Sequence, residues 1–304
     1  MLLRDQLYKL IKNTIIFQYT LPCNEKSIPK IKHSTLDDFC YASISHHNLV
    51  NIIYNSIIEY SFNSQEITLY DYSSLHARAL KSKLKYDEEG SEENKLKYGF
   101  YGEVLLDCIL KVFHRTHALI ARGYFYNPLE NSETKGYDSF HIIENERPEL
   151  WFGETKFYGD YENAMENSIK SVMNKIEIAL SDKYLQNNLI AICEKEENFE
   201  SANQDLRDMV VLWKKQPDVN LPKVLKDKNF KLVYPVMILY DDLNMLYDDC
   251  IQKAVSYLNE KISEKHYNLS IDYEIFFILI PLTNSQQIKK DVIQWISKKK
   301  PVMS

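Results

Sequence analysis

Two apolar stretches constrain this chain more than any other feature. Leu232–Tyr240 (LVYPVMILY) and Tyr273–Leu282 are almost free of polar side chains. Both are of strand length, well short of the ~20 apolar residues that a bilayer-crossing helix needs. Near-continuous apolar strands are those of a sheet covered on both faces, whereas a sheet wetted on one side alternates. Helical patterns surround them. Val104, Leu105, Cys108, Ile109, Val112 and Phe113 form a stripe at spacings of three and four, as do Met165, Ile169, Val172, Met173, Ile176 and Leu180. Helices are also expected over 205–214, 246–262 and Ser285–Ser297. Asn145–Pro148 supplies a turn between two short strands, Gly136–Ile143 and Glu149–Tyr158. The class is therefore α/β, with helices layered on a sheet. Pro235 inside an apolar strand predicts an edge or a bulge.

The first part of the chain is less regular. Ile15–Tyr19 and Ile67–Tyr70 read as strands, Leu36–Tyr60 as mainly helical, and Pro217–Asn229 as a polar loop. Residues 82–97 (SKLKYDEEGSEENKLK) are charged and aperiodic, an exposed connection. It divides an N-terminal accessory region, 1–90, from a main domain, 91–304.

Composition removes several functions. With 7 glycines in 304 residues and no GxxxxGK[ST] or GxGxxG, a nucleotide-phosphate loop is not expected. The net charge of −6 excludes a chain that coats nucleic acid, though not one that meets it through a local groove. The cysteines, at 23, 40, 108, 193 and 250, include no CxxC pair, so neither a zinc ribbon nor a disulfide framework is expected. Charges at Arg4, Asp5 and Lys9 interrupt the first apolar run, so no signal peptide is read there. A cytoplasmic protein without membrane contact is the expectation.

The chemistry concentrates at Asp138, Glu154 and Lys156. With a turn centred on Glu146, an unbulged hairpin sets Asp138 opposite Glu154, with Cβ atoms about 5 Å apart. Lys156 shares the face of Glu154. The same face carries Phe140, Ile142, Leu150 and Phe152. Charges at the end of an apolar face are costly to bury unless they coordinate something. Asp138, Glu154 and the Thr155 carbonyl offer hard oxygen ligands for Mg2+ (or Mn2+). Lys156 would steady water or phosphate charge, and Glu103, on the helix before, would complete the metal shell. Its other reading is an acid favourable to a helix N-terminus.

GYD, followed sixteen positions later by ETK, resembles the active site of the PD-(D/E)xK nuclease superfamily, a restriction-endonuclease-like mixed sheet flanked by helices. Asp138, Glu154 and Lys156 match its motif, and Glu103 its helical acid. Tyr137 stands where a proline is usual. The implied core is one helix, three strands beginning with Leu119–Phe125, a helix and a strand. KYGFYGEVLLDCILK, GYDSFHI and ELWFGETKFY further resemble HamA, the nuclease subunit family of Hachiman anti-phage systems (AbpA-like). That resemblance implies a bacterial, Mg-dependent DNA nuclease held in check by a superfamily-2 helicase (HamB-like) subunit. The alternatives are a catalytically inactive nuclease fold that binds a helicase or DNA, and an RNase.

Other residues have plainer readings. His46-His47 point apart, and His141 faces away from Asp138. Lys111, His114, Arg115 and His117 read as a solvated helix end, or else as a DNA-facing patch. Asp241-Asp242 and Asp248-Asp249 read as helix caps. The lysines of 293–300 read as a frayed terminus. Tyr137, Trp151 and Tyr158 are candidates for stacking on bases, with core packing expected for two of the three.

Overall fold

In the computed structural model, residues 3–20, 39–43, 45–157, 164–201, 203–241 and 267–302 are described, with single positions at 256 and 260. The helix expected at 246–262, Tyr158, Asp242 and Asp248-Asp249 lie outside them. The helices are α1 (Leu3–Thr14), α2 (His46–Ser61), α3 (Ser64–Leu69), α4 (Tyr72–Ser82), α5 (Glu92–Leu96), α6 (Phe100–Phe113), α7 (Ala164–Ala179), α8 (Asp182–Cys193), α9 (Gln204–Lys215), α10 (Leu221–Asp227) and α11 (Ser285–Ser297). The strands are β1 (Ile15–Thr20), β2 (Phe39–Ser43), β3 (His117–Ala118), β4 (Tyr126–Asn127), β5 (Ser132–Glu133), β6 (His141–Ile143), β7 (Glu149–Trp151), β8 (Glu154–Phe157), β9 (Lys231–Asp241) and β10 (Asp272–Leu282).

The described strands form one mixed sheet, in the order β1-β2-β10-β9-β7-β6-β3, with β8 also on β9; β4 and β5 pair separately. β9 and β10 run parallel in unbroken register from Lys231↔Asp272 to Asp241↔Leu282. Each face is covered by helices. Val172, Ile176, Leu189 and Met209 pack with Tyr234, Val236 and Ile238 on one side. Ile53, Leu105, Ile109 and Val292 pack with Val233, Met237 and Leu239 on the other. This two-sided cover accounts for the apolar runs that the sequence shows. The first 90 residues add β1 and β2 to the same sheet and α2 to the second layer.

Several local expectations are corrected. Pro235 lies in the central strand β9, not at an edge. Phe152 donates to the Val233 carbonyl, and residues two apart share a hydrogen-bonding edge. Pro235 therefore turns its missing N–H toward the gap between β7 and β8, and the ladder is interrupted there, between Trp151↔Val233 and Glu154↔Val236. Leu119–Phe125 is not a strand. β3 ends at Ala118, and a 3-10 turn occupies Arg122–Phe125. Ile67–Tyr70 closes a helix, because Asn63 caps α3 through the Glu66 N–H. Of the expected Leu36–Tyr60 helix, the described residues give the strand β2 and then α2, capped by Ser45. Asn220 caps α10 inside the expected polar loop, with Pro222 in its first turn. Lys111 is buried against Asp107 at 2.9 Å and does not form a solvated patch. The 298–300 segment is tied down, with Lys300 N–H bonded to Trp295 and the Lys300 carbonyl accepting from Tyr54 Oη at 2.6 Å. Asp241 caps α11 by accepting from Ser285 N–H at 2.7 Å.

Gly153 is held in the gap by contact. A Cβ there would lie 2.8 Å from both Pro235 Cγ and the Pro235 carbonyl oxygen. Gly153→Ala should cost about 1–3 kcal/mol in urea unfolding, since backbone has to move. A change below about 0.5 kcal/mol would show that the gap is not sterically set.

Candidate active site

The β6–β7 hairpin keeps the expected register, His141↔Trp151 to Ile143↔Glu149. It stops short of Asp138, because a side chain replaces the ladder. Ser139 Oγ accepts from Gly153 N–H at 2.9 Å. Asp138 N–H then reaches the Gly153 carbonyl at 2.8 Å, and Asp138 Oδ2 accepts from Thr155 N–H at 2.8 Å. The aspartate is thus fastened to the backbone edge of β8, not simply set across from Glu154. In a parallel strand the Thr155 carbonyl lies on the same edge as its N–H, toward Asp138.

Glu154 and Lys156 share the β8 face that packs toward α7. Lys156 Nζ stands 2.6 Å from Glu154 Oε1. Lys175, from α7, stands 3.1 Å from Glu154 Oε2. Glu154 is only 1% exposed, so it is a buried carboxylate held between two ammonium groups. Glu103 approaches from α6. That helix packs closely on β8 because Gly102 has no side chain; a Cβ there would be 2.8 Å from Thr155 Oγ1. Tyr60 donates its hydroxyl to Glu103 Oε2.

These acids strain one another. Burial, followed by the carboxylates of Glu154 and Glu103, pushes Asp138 well above the usual carboxylate range. Burial and then Glu133 raise Glu103 to about 7, against opposition from Arg122 and the Tyr60 bond. Lys156 is held above the usual lysine range: burial acts the other way, but Glu154 and Asp138 outweigh it. Lys156 is therefore a fixed cation and not a base. Glu103, Asp138, Glu154, Thr155, Lys156 and Lys175 line one cavity of about 800 Å³.

Among the described residues no three His, Cys, Asp or Glu side chains meet in a preformed metal cage. Glu154 is instead bridged by the Lys156 and Lys175 ammonium groups, Asp138 is held by the Thr155 N–H and Glu103 by the Tyr60 hydroxyl. The donor chemistry still suits a hard divalent cation, since the carboxylates repel one another and face a shared cavity.

The remaining candidates separate cleanly. His141 bonds Asp107 at 2.8 Å on the far face of the sheet. His46 pairs with Asp291 at 2.8 Å, while His47 packs edge-on against Trp295. Tyr137 is buried, with its hydroxyl on the Ala179 carbonyl at 2.7 Å, and Trp151 packs against His114. Both serve the core.

Three cations near the cavity escape a reading by motif. Arg122 is buried, donates to the Thr134 carbonyl at 2.8 Å and faces Glu103 and Asp138 electrostatically. Lys175 lies three residues beyond Val172, on the flank of the α7 stripe. Lys289 lies within the buried stripe of α11, beside Ile288, Val292 and Ile293. A lysine at core spacing is the signal that would have found the last two.

The sequence model of the HamA family matches residues 14–296. No curated protein matches the chain, and no solved structure does.

A carboxyl that binds its proton more tightly when folded stabilises the fold below its unfolded pKa. That stability is lost as pH rises through the folded value. Metal-free protein should therefore lose stability between about pH 4.5 and about pH 7. Glu103 should account for about 3 kcal/mol of the loss. Urea unfolding of Glu103→Gln in EDTA should show a flatter pH dependence than the wild type; identical curves would contradict this placement of Glu103.

Proposed function

The chain belongs to the HamA family, whose role is in Hachiman anti-phage defence, and we propose that it is a divalent-metal-dependent DNA nuclease of such a system. The observation that carries this reading is the assembly of Asp138, Glu154, Lys156 and Glu103 around one cavity from three separate segments: the approach to β6, the strand β8 and the helix α6. Asp138, Glu154 and Glu103, with the Thr155 carbonyl, would hold Mg2+ (or Mn2+). Bound there, the ion would activate water and offset charge on a phosphodiester.

The chain's own residues supply the rest. Asp138 is oriented by the Thr155 N–H, so its second oxygen is free to turn into the cavity. Glu154 is oriented by its two lysines. Lys156 and Lys175 bring fixed positive charge to a phosphate entering the same cavity. This local charge resolves how a chain of net charge −6 addresses a polyanion. The proposal includes a superfamily-2 helicase subunit as partner, contact with it through residues 1–90, and a bacterial cytoplasmic setting. No helix among the described residues is long and apolar enough to cross a membrane.

One observation favours a second reading. Both Glu154 oxygens face ammonium groups, as in an inactive nuclease fold that serves as a binding module. Cleavage separates the two. Supercoiled plasmid with Mg2+, with and without the helicase subunit, should be cut by the wild type. Glu154→Gln should lose about a hundredfold or more in rate with its melting temperature preserved, and Lys156→Ala should lose a similar factor. Undiminished cutting by Glu154→Gln would overturn the site, and no cutting under either condition would favour the module.

A further inference from the structure

The cavity has a second wall that the hydrolytic chemistry does not use. Besides the acids at the site it is lined by Lys97, Tyr98, Phe157, Gln286 and Lys289, with Glu93 beside Lys97. These come from the turn before α6, the end of β8 and the first turns of α11. Tyr98 and Phe157 are half-buried and packed on the core, so their rings are held in place. Tyr86 meets the Tyr98 ring at 62°. Lys289 is buried at 7% exposure, with Nζ 3.0 Å from the Phe157 carbonyl and 3.4 Å from that of Leu96. An ammonium has three N–H groups, and these two bonds leave one for a ligand. The same Nζ lies 4.7 Å from the Phe157 ring centre. Lys97, on the rim, is 66% exposed in its side chain and reaches only Glu93.

Aromatic faces interleaved with cations are the chemistry by which proteins hold unpaired nucleotides. A base inside a duplex is stacked and cannot present its face to such a wall. We propose that this wall is a nucleotide subsite. It takes one unpaired nucleotide flanking the scissile phosphate, with the base on Tyr98 and the adjoining phosphate between Lys97 and Lys289. This rests on the nuclease reading and narrows it: the preferred substrate is single-stranded, or a duplex frayed at the site of attack.

The test reads binding and not cleavage, so that it stands apart from the nuclease assay. Full-length wild-type protein in EDTA is titrated with fluorescein-labelled (dT)6, the same oligonucleotide with one internal abasic position, and a six-base-pair duplex closed by a hairpin loop too short to unstack. Tight binding of (dT)6, at least tenfold weaker binding of the duplex, and a measurable loss with the abasic strand are expected. Tyr98→Ala should weaken (dT)6 about tenfold, and Tyr98→Phe should stay within about twofold. Lys97→Gln, an exposed change that spares the fold, should lower the salt dependence of binding by about 0.7 in log–log slope. Duplex binding as tight as single strand, absence of (dT)6 binding, or wild-type affinity in Tyr98→Ala of unchanged melting temperature would each overturn the subsite. Loss of plasmid cutting with these binding results intact would count against the nuclease reading alone.

Discussion

The close approach of Gly153 to Pro235 marks the end of the sheet where the clustered acids lie. With no side chain at 153 and no N–H at 235, the central strand and its neighbour come within contact distance, and the ladder between them lapses. The same register then resumes at Glu154↔Val236. On the opposite edge, where Gly153 faces the hairpin partner and not β9, Ser139 Oγ takes the Gly153 N–H and Asp138 N–H takes the Gly153 carbonyl. The edge of β8 beyond it is left open to the Asp138 carboxylate. A proline in this central strand thus coincides with the break in the β9 ladder, and the acids lie beside that break.

Charge then determines what may surround that gap. Three acids cannot share a low-dielectric cavity without cations. Here the cations arrive from three directions: Lys156 along the strand, Lys175 from the helix above and Arg122 from the 3-10 turn. Arg122 is buried and the two lysines are partly buried, so their charges are screened less than those of exposed side chains. In an acidic protein, the recess thus sets its lysines directly beside its carboxylates.

Much of this was legible in the residues, and what was not has identifiable causes. The paired apolar runs became β9 and β10, and the last helix spans Ser285–Ser297 as its periodicity implies. The hairpin centre at Glu146 held because turn residues and alternation agree there. The stretch from Gly136 to Phe140 reads as strand but is not one, because a serine hydroxyl can imitate a backbone acceptor and no pattern of hydrophobicity records that. Leu119–Phe125 misleads likewise: its apolar residues are buried in a turn. Of the site, Asp138, Glu154, Lys156 and Glu103 were visible by motif and phase. Lys175, Arg122 and Lys289 were not, since each gains its meaning from a partner far along the chain.

The central claim is that Asp138, Glu154 and Glu103, brought together around β8, form a site for a divalent cation. Calorimetric titration of Mn2+ into the wild type and Asp138→Asn at pH 7 tests it most directly. The account predicts saturable binding by the wild type, with proton release from acids whose pKa values are raised, and its loss in Asp138→Asn. Equal binding by the two proteins, or no binding by the wild type, would contradict it.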